Sequence, residues 1–188
     1  MFRIYIELEI SLREFDRCRK LYEKYIIYNP TICKSWTEYA NLERLLGDLD
    51  RVRGIYELGI SQPVLDYPEL LWKSYLDFEM EQKEWDLARN IHERLLEKTQ
   101  SINVWTSYAL MEEELDLERS RNVFERGQIS LKEQGLTKER ICLLNSWLEM
   151  EKRHDSEWIS KVETCIVQAN ESNTKLLKIA YRWKQDQK

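Results

Sequence analysis

Residues 36–57 read WTEYANLERLLGDLDRVRGIYE, and this stretch decides the fold. It opens with a first set of spaced side chains, in which Trp36 is followed by Tyr39 three residues later and by Glu43 four residues after that. An α-helix has 3.6 residues per turn, so positions i, i+3 and i+7 lie on one face. The first set therefore predicts a helix that buries the face carrying its two rings.

The stretch closes with a second set, in which Asp50 is followed at +3 by Arg53 and at +5, +6 and +7 by Ile55, Tyr56 and Glu57. A glycine and an aspartate separate the two sets, and these residues are typical of the end of one helix and the N-cap of the next. The stretch therefore predicts an αα-hairpin, two antiparallel helices joined by a short turn.

Both sets recur along the chain at intervals of about 35 residues. The first set recurs as Phe2/Tyr5/Glu9, Trp72/Tyr75/Glu79 and Trp105/Tyr108/Glu112, and with substitutions as Leu144/Trp147/Glu151. The second set recurs as Asp16/Arg19/Leu21/Tyr22/Glu23, Asp86/Arg89/Ile91/His92/Glu93 and Glu118/Arg121/Val123/Phe124/Glu125. A period in this range is typical of a solenoid, whose units bury their apolar faces by stacking on their neighbours.

We expect an all-α solenoid, a right-handed superhelix of about ten helices in five antiparallel pairs. The predicted repeats are residues 1–33, 34–69, 70–102 and 103–137, and residues 138–188 form a degenerate fifth repeat with a C-terminal capping helix. After Leu144 the acid and arginine of the second set are missing. We predict one helix over 155–168 and a last helix from about Lys175.

The glutamate of the first set and the arginine of the second set invite a pairing hypothesis. We expect Glu43 to pair with Arg53, and Glu79 with Arg89, across the hairpin of their own repeat. Partly buried pairs of this kind fix the register of two helices more surely than they add stability.

Two glycines, Gly59 and Gly127, stand two residues beyond the final glutamate of the second set. Glycine inside a helix costs about 1 kcal/mol relative to alanine, so its use there predicts a close crossing of two backbones.

The composition suits helices that are wet on one side and buried on the other, with 34% charged and 43% hydrophobic residues and only five glycines. We expect neither a membrane span nor a secretory signal, because no run of about 18 uncharged apolar residues occurs. The cysteines, Cys18, Cys33, Cys142 and Cys165, fit no metal or redox spacing. Reduced thiols of a nuclear or cytosolic protein are expected.

Catalytic chemistry has little support in the sequence. Neither His92 nor His154 has a cysteine or carboxylate at metal-ligand spacing, and no glycine-rich phosphate loop occurs. The run 112–114 of three glutamates is interpreted as a solvated helix face. We predict no catalytic, cofactor-binding or metal-binding residue.

Direct nucleic-acid binding is the competing function. The net charge of −5 opposes it. The last fourteen residues are nevertheless basic, because five cations face one acid and give a net charge of +4, which leaves −9 for the rest of the chain. The candidate contacts to RNA or an acidic partner are Lys175, Lys178, Arg182, Lys184 and Lys188. A solvated helix end also explains this composition.

The seven tryptophans could stack on bases, but five of them lie on predicted buried stripes and are interpreted as core. These five are Trp36, Trp72, Trp105, Trp147 and Trp183.

Over residues 1 to about 151, the two sets resemble the HAT repeat, a half-tetratricopeptide motif of RNA-processing scaffolds. Stretches 5–24, 47–63 and 71–75 are similar to the crooked neck proteins of the spliceosome, in the later repeats of that family's longer array. The resemblance implies a nuclear, non-catalytic scaffold of the NineTeen complex that holds other splicing factors. A HAT scaffold of pre-mRNA 3′-end cleavage or ribosomal RNA maturation remains the alternative.

Overall fold

A computed structural model of the chain describes residues 2–99 and 101–186, with the side chains of residues 4–99, 101–174 and 178. The described ranges form ten helices and no strand, which confirms the predicted all-α class. The helices are α1 (Phe2–Ser11), α2 (Phe15–Tyr28), α3 (Cys33–Leu46), α4 (Leu49–Ile60), α5 (Pro68–Glu81), α6 (Trp85–Lys98), α7 (Ile102–Glu113), α8 (Leu117–Glu133), α9 (Thr137–Arg153) and α10 (Ile159–Asp186).

The turn between α3 and α4 shows why the stretch 36–57 folds as a hairpin. Gly47 adopts a left-handed φ of 81°, and the following Asp48 N–H donates to Glu43 O at 3.1 Å. This arrangement satisfies backbone carbonyls that the end of a helix leaves without partners. The Asp48 side chain then accepts from the Arg51 N–H at 3.1 Å and caps α4.

The turns before α2, α6 and α10 use the same left-handed conformation without glycine. Arg13, Lys83 and Asp155 have φ values of 61°, 60° and 45°. A glycine in this turn is therefore a sufficient signal of the hairpin in this chain but not a necessary one.

The last helix differs from its prediction. Instead of one helix over 155–168 and another from about Lys175, α10 runs without interruption from Ile159 to Asp186. No glycine or proline occurs between these residues, so the chain contains no residue that would end the helix early.

The helices fall into two compact units, residues 1–91 and 92–188, and the boundary runs through α6. In the first unit, α1 packs on α2, α2 on α3, and both α3 and α4 on α5. In the second unit, α7 and α8 pack on each other and on α9, and α9 packs on α10. Packing between near neighbours in the sequence is typical of repeat arrays. The right-handed superhelix stays a prediction.

The cores of both units are built on the predicted rings. Trp36 and Trp72 in the first unit, and Trp105 and Trp147 in the second, are all buried, as the periodicity predicts. The side chain of Trp183 lies outside the described residues. The four cysteines are free, with Cys18 and Cys33 buried, and burial raises the pKa of the Cys33 thiol to about 11. None of the helices in the described ranges is long and apolar enough to cross a membrane.

Candidate functional site

The aromatic residues of the two sets meet in pairs. In each pair, a ring from the second helix of one hairpin stacks on a ring from the first helix of the next hairpin. The ring centroids of Tyr22 and Tyr39 lie 5.1 Å apart, those of Tyr56 and Tyr75 5.0 Å, those of His92 and Tyr108 4.8 Å, and those of Phe124 and Trp147 5.7 Å, with interplanar angles between 4° and 12°. Offset stacks of this kind add to the gain from burial alone.

The arginines of the second set bind the glutamates of the next hairpin. Arg19 donates to both carboxylate oxygens of Glu43 at 2.9 Å, and Arg53 donates to those of Glu79 at 3.0 Å. The carboxylates are fully buried, whereas the guanidinium groups lie partly in solvent. A planar guanidinium that binds both oxygens of a carboxylate fixes the angle between two helices as well as their distance.

The same fork recurs in the second unit, where Arg121 donates to the two carboxylate oxygens of buried Glu151 at 2.9 Å. The Arg121 guanidinium also lies 5.2 Å from the Trp158 ring centroid. We call these three contacts the arginine forks: Arg19–Glu43, Arg53–Glu79 and Arg121–Glu151.

The forks correct the pairing expected from the sequence. The predicted partners were Glu43 with Arg53 and Glu79 with Arg89, within one hairpin. Instead, Glu43 takes Arg19 from the preceding hairpin, and Glu79 takes Arg53. Both alternatives satisfy the periodicity, because the arginine and the glutamate repeat with the same period. The spacing alone could not choose between them.

The acid that opens the second set orients its arginine from the solvent side. Asp16 lies 3.2 Å from Arg19, Asp50 3.7 Å from Arg53, and Asp86 2.7 Å from Arg89, always three residues earlier on the same helix. Glu118 contacts Arg121 in the same way. All four acids are exposed, so each contributes little stability itself and serves to hold the guanidinium in place.

The forks set the protonation of their members. Hydrogen bonds with the partner glutamate raise the pKa of Arg19, Arg53 and Arg121. Burial by itself would raise the pKa of Glu151, but hydrogen bonds from Arg121, Ser156 and Trp147 hold the pKa of this carboxyl below its ordinary value. The pair therefore stays ionised at neutral pH.

The final glutamate of the second set has a partner that the sequence did not reveal, the tyrosine of the next first helix. Tyr75 donates its hydroxyl to Glu57 Oε1 at 3.2 Å, and Tyr108 donates to Glu93 Oε1 at 3.1 Å. Glu93 also accepts from both terminal nitrogens of Arg126, at 2.8 and 2.7 Å. The Arg126 guanidinium holds the pKa of Glu93 below its ordinary range.

The two helical glycines pack against side chains and not against a crossing backbone. A Cβ on Gly59 would lie 2.9 Å from Leu71 Cδ2 and 3.1 Å from Trp36 Cδ2. A Cβ on Gly127 would lie 2.8 Å from Leu143 Cδ2 and 2.9 Å from Trp105 Cδ2. The expected close crossing of backbones is therefore wrong, and the glycine instead leaves room for the tryptophan of the first set.

The outermost copies of the pattern depart from the others. Tyr5 in α1 is exposed, against the expectation that both rings of the first set are buried, and Phe2 has no described side chain. In the fifth copy, Leu144, Trp147 and Glu151 are all buried. Glu112 of the fourth copy is buried as well.

Of the basic C-terminal residues, Lys178 is exposed. The side chains of Lys175, Arg182, Lys184 and Lys188 lie outside the described residues. The structure brings none of these five residues together with the two sets in the part of the chain that it describes.

The histidines are engaged in packing and pairing. His92 is buried against the Tyr108 ring, with its Nε2 3.2 Å from Ser107 Oγ, and His154 Nε2 lies 2.9 Å from Glu113 Oε1. In the described ranges, no group of three or more histidine, cysteine, aspartate or glutamate side chains is placed to hold a metal ion.

Comparison with known proteins identifies the family. Residues 1–95 match the family described as the pre-mRNA-splicing factor Syf1/CRNKL1 C-terminal HAT repeat. The chain is 41% identical to human crooked neck-like protein 1 over an alignment that covers 100% of the chain and 26% of the relative. It is 44% identical to pre-mRNA-splicing factor CLF1 of Pyricularia oryzae, over 94% of the chain and 28% of the relative. It is also 44% identical to pre-mRNA-splicing factor cwf4 of Schizosaccharomyces pombe, over 84% of the chain and 26% of the relative.

The chain thus spans about a quarter to a third of the length of these curated relatives. The family match covers the first two hairpins and most of the third, where the first and second sets follow their pattern most closely. The chain belongs to the HAT-repeat family of the Syf1/CRNKL1 pre-mRNA-splicing factors.

Proposed function

We propose that the chain is part of a non-catalytic protein scaffold in pre-mRNA splicing and acts in the nucleus. The observation that carries the proposal is its similarity to proteins named as pre-mRNA-splicing factors, at 44% identity over most of the chain. Assignment to the NineTeen complex follows from the resemblance to crooked neck proteins and is part of the proposal.

The geometry supports a structural use of the polar side chains of both sets. The buried glutamates Glu43, Glu79 and Glu151 are bound by arginines of the same chain, and the glutamates Glu57 and Glu93 accept from tyrosines. These groups hold helices together and do not face a common cavity. Binding of partners through the exposed sides of the helices fits this arrangement, as in other repeat proteins.

The test is affinity purification from nuclear extract with the tagged chain as bait, followed by mass spectrometry. Splicing proteins are expected to be enriched over a tag-only control. The extract is divided and one half is treated with ribonuclease, because a protein scaffold keeps its partners when RNA is removed. Enrichment of 3′-end cleavage factors or of nucleolar factors in place of splicing proteins would contradict the proposal and favour the alternative HAT scaffolds.

Direct RNA binding is the second candidate, and the basic residues between 175 and 188 favour it. In the purification it predicts that splicing proteins are lost from the ribonuclease-treated half. The proposed scaffold role predicts that they are retained.

A further inference from the structure

Helix α1 carries the same face as α3, but this face of α1 is open to solvent. Tyr5 and Leu8 occupy the positions that Tyr39 and Leu42 occupy in α3. Tyr39 and Leu42 are 3% and 5% exposed, because α2 packs on α3 and stacks Tyr22 on Tyr39. Tyr5 and Leu8 are 54% and 51% exposed.

The open face is a continuous apolar row. Leu12 lies one helical turn beyond Leu8, Ile4 flanks Tyr5, and both are exposed. Ile6 points to the other side of α1 and is buried. Single exposed apolar residues need no explanation, but a row of four along one face marks an interaction surface.

An acid without a hydrogen bond completes this surface. Glu9 stands where Glu43 stands in α3, and Glu43 accepts two hydrogen bonds from Arg19. Glu9 Oε2 is buried and has no hydrogen-bond partner in the described chain, and its nearest cation, Arg17 Nη1, lies 3.7 Å away. A buried carboxylate oxygen in this state favours a partner that brings a positively charged donor.

We propose that the α1 surface, formed by Ile4, Tyr5, Leu8, Glu9 and Leu12, binds a helix of another HAT-repeat protein that presents an arginine and, three residues later, an aromatic ring. The arginine binds the Glu9 carboxylate and the ring stacks on Tyr5. The remaining apolar residues of the helix cover Leu8 and Leu12. The inference rests on the geometry of the first unit and is independent of a role in splicing.

The chemistry of the occupant is taken from the equivalent surfaces of this chain. Wherever a fork is described, the arginine and the stacked ring come from one helix at a spacing of three residues: Arg19 and Tyr22, Arg53 and Tyr56, and Arg121 and Phe124. These helix faces are already occupied by α3, α5 and α9. A second folded copy of the chain therefore does not offer them, and we assign the surface to a different protein.

The probe is a fluorescent peptide of residues 47–62, which carries Arg53 and Tyr56, titrated with the full chain and followed by anisotropy. Positions 54 and 58, exposed in α4, are joined by a hydrocarbon staple, because an isolated helix of this length is marginal in water. Saturable binding is expected. Glu9→Gln or Tyr5→Ala in the protein, or Arg53→Ala in the peptide, weakens it at least about tenfold, the expected loss for a charge-assisted hydrogen bond or a stacked ring.

The matched control is Glu7→Gln, an exposed glutamate on the opposite side of α1, which leaves binding unchanged. Circular dichroism verifies that each variant is folded. The protein variant Glu9→Arg is expected to regain binding to a peptide with Arg53→Glu.

Three results would overturn the proposal. The first is absence of saturation with the parent pair. The second is equal affinity of parent and Glu9→Gln, as expected if the peptide merely exchanges with α4. The third is a dimer in sedimentation velocity that Tyr5→Asp dissociates, which would identify a second copy as the occupant.

Discussion

One missing methyl group governs how Trp36 packs in the first unit. Helix α4 contains two glycines five residues apart, and their surroundings differ completely. A Cβ on Gly59 would lie within 3.2 Å of two Trp36 ring atoms, whereas a Cβ on Gly54 would meet nothing within 4 Å. The same residue type therefore has a packing role at one position and none at the other.

The two glycines make a matched pair for substitution by alanine. Gly59→Ala is expected to lower the free energy of unfolding by about 1 to 3 kcal/mol, because the indole and Leu71 would have to move. Gly54→Ala is expected to raise it by about 0.5 to 1 kcal/mol, because alanine restricts the unfolded chain and fits the helix. Urea unfolding checks both values. Equal effects of the two substitutions would show that contacts at Gly59 do not decide its identity.

The buried rings should dominate the stability of each unit. Trp72→Ala is expected to cost about 3 to 5 kcal/mol, because it removes a large core aromatic and leaves a cavity. Leu45→Ala, on the exposed side of α3, is expected to change stability by less than about 0.5 kcal/mol. Thermal and urea melts measure both, and a Trp72 variant that melts within a degree or two of the parent would contradict the core assignment.

At the scale of elements, the arginine forks explain why successive hairpins keep one register. Each fork joins a second helix to the next first helix, beside the stacked ring pair that joins the same two helices. The ring pair supplies buried area, and the fork supplies direction, because only one rotation of the helices brings both oxygens within hydrogen-bond distance.

The fork between α4 and α5 should be strongly coupled. Arg53→Met is expected to cost about 3 to 5 kcal/mol, because it leaves the buried Glu79 carboxylate without its cation. The double variant Arg53→Met/Glu79→Met is expected to recover most of that loss, since no buried charge remains. Urea unfolding of the four members of the cycle gives the coupling. Arg44→Met, in the exposed pair with Glu81, is the control and should cost less than about 1 kcal/mol.

The fork between α8 and α9 predicts a pH dependence. The folded pKa of Glu151 lies below its ordinary value of 4.5, so the unfolded chain binds this proton more readily. The stabilisation is fully present above about pH 4.5 and is lost as the pH falls through the folded pKa. Glu151→Gln should therefore unfold more easily at pH 7 and show a flatter stability profile between about pH 5 and 3. Glu149→Gln, exposed on the same helix, should keep the parent profile.

Local spacing predicted the helices well, because the i, i+3, i+7 pattern of Trp36, Tyr39 and Glu43 is satisfied within one helix. Partner choice was not accessible in the same way. Arg53 could reach a glutamate behind or ahead of it in the sequence, and only the packing of α4 on α5 selects Glu79. The exposure of Tyr5 was also hidden, since its sequence context matches that of Tyr39 and only the absence of a covering helix separates them.

At the scale of the whole molecule, charge separates the two functions under consideration. The chain carries −5, divided into +4 in the last fourteen residues and −9 in the rest. An RNA strand that approaches the basic end therefore meets a field of the opposite sign from the remainder of the molecule. Affinity for RNA arises mainly from phosphate contacts, each of which adds to the salt dependence.

We therefore expect weak binding of single-stranded RNA that disappears between about 20 and 150 mM salt, because at most five cations are available to neutralise phosphates. Filter binding of a mixed-sequence oligonucleotide at both salt concentrations measures this. Replacement of Lys175, Lys178, Arg182, Lys184 and Lys188 by glutamine should abolish the residual binding at low salt, while replacement of five exposed lysines elsewhere should not. Retention of tight binding at 150 mM salt that depends on these five residues would make RNA a direct ligand and displace the protein-only scaffold.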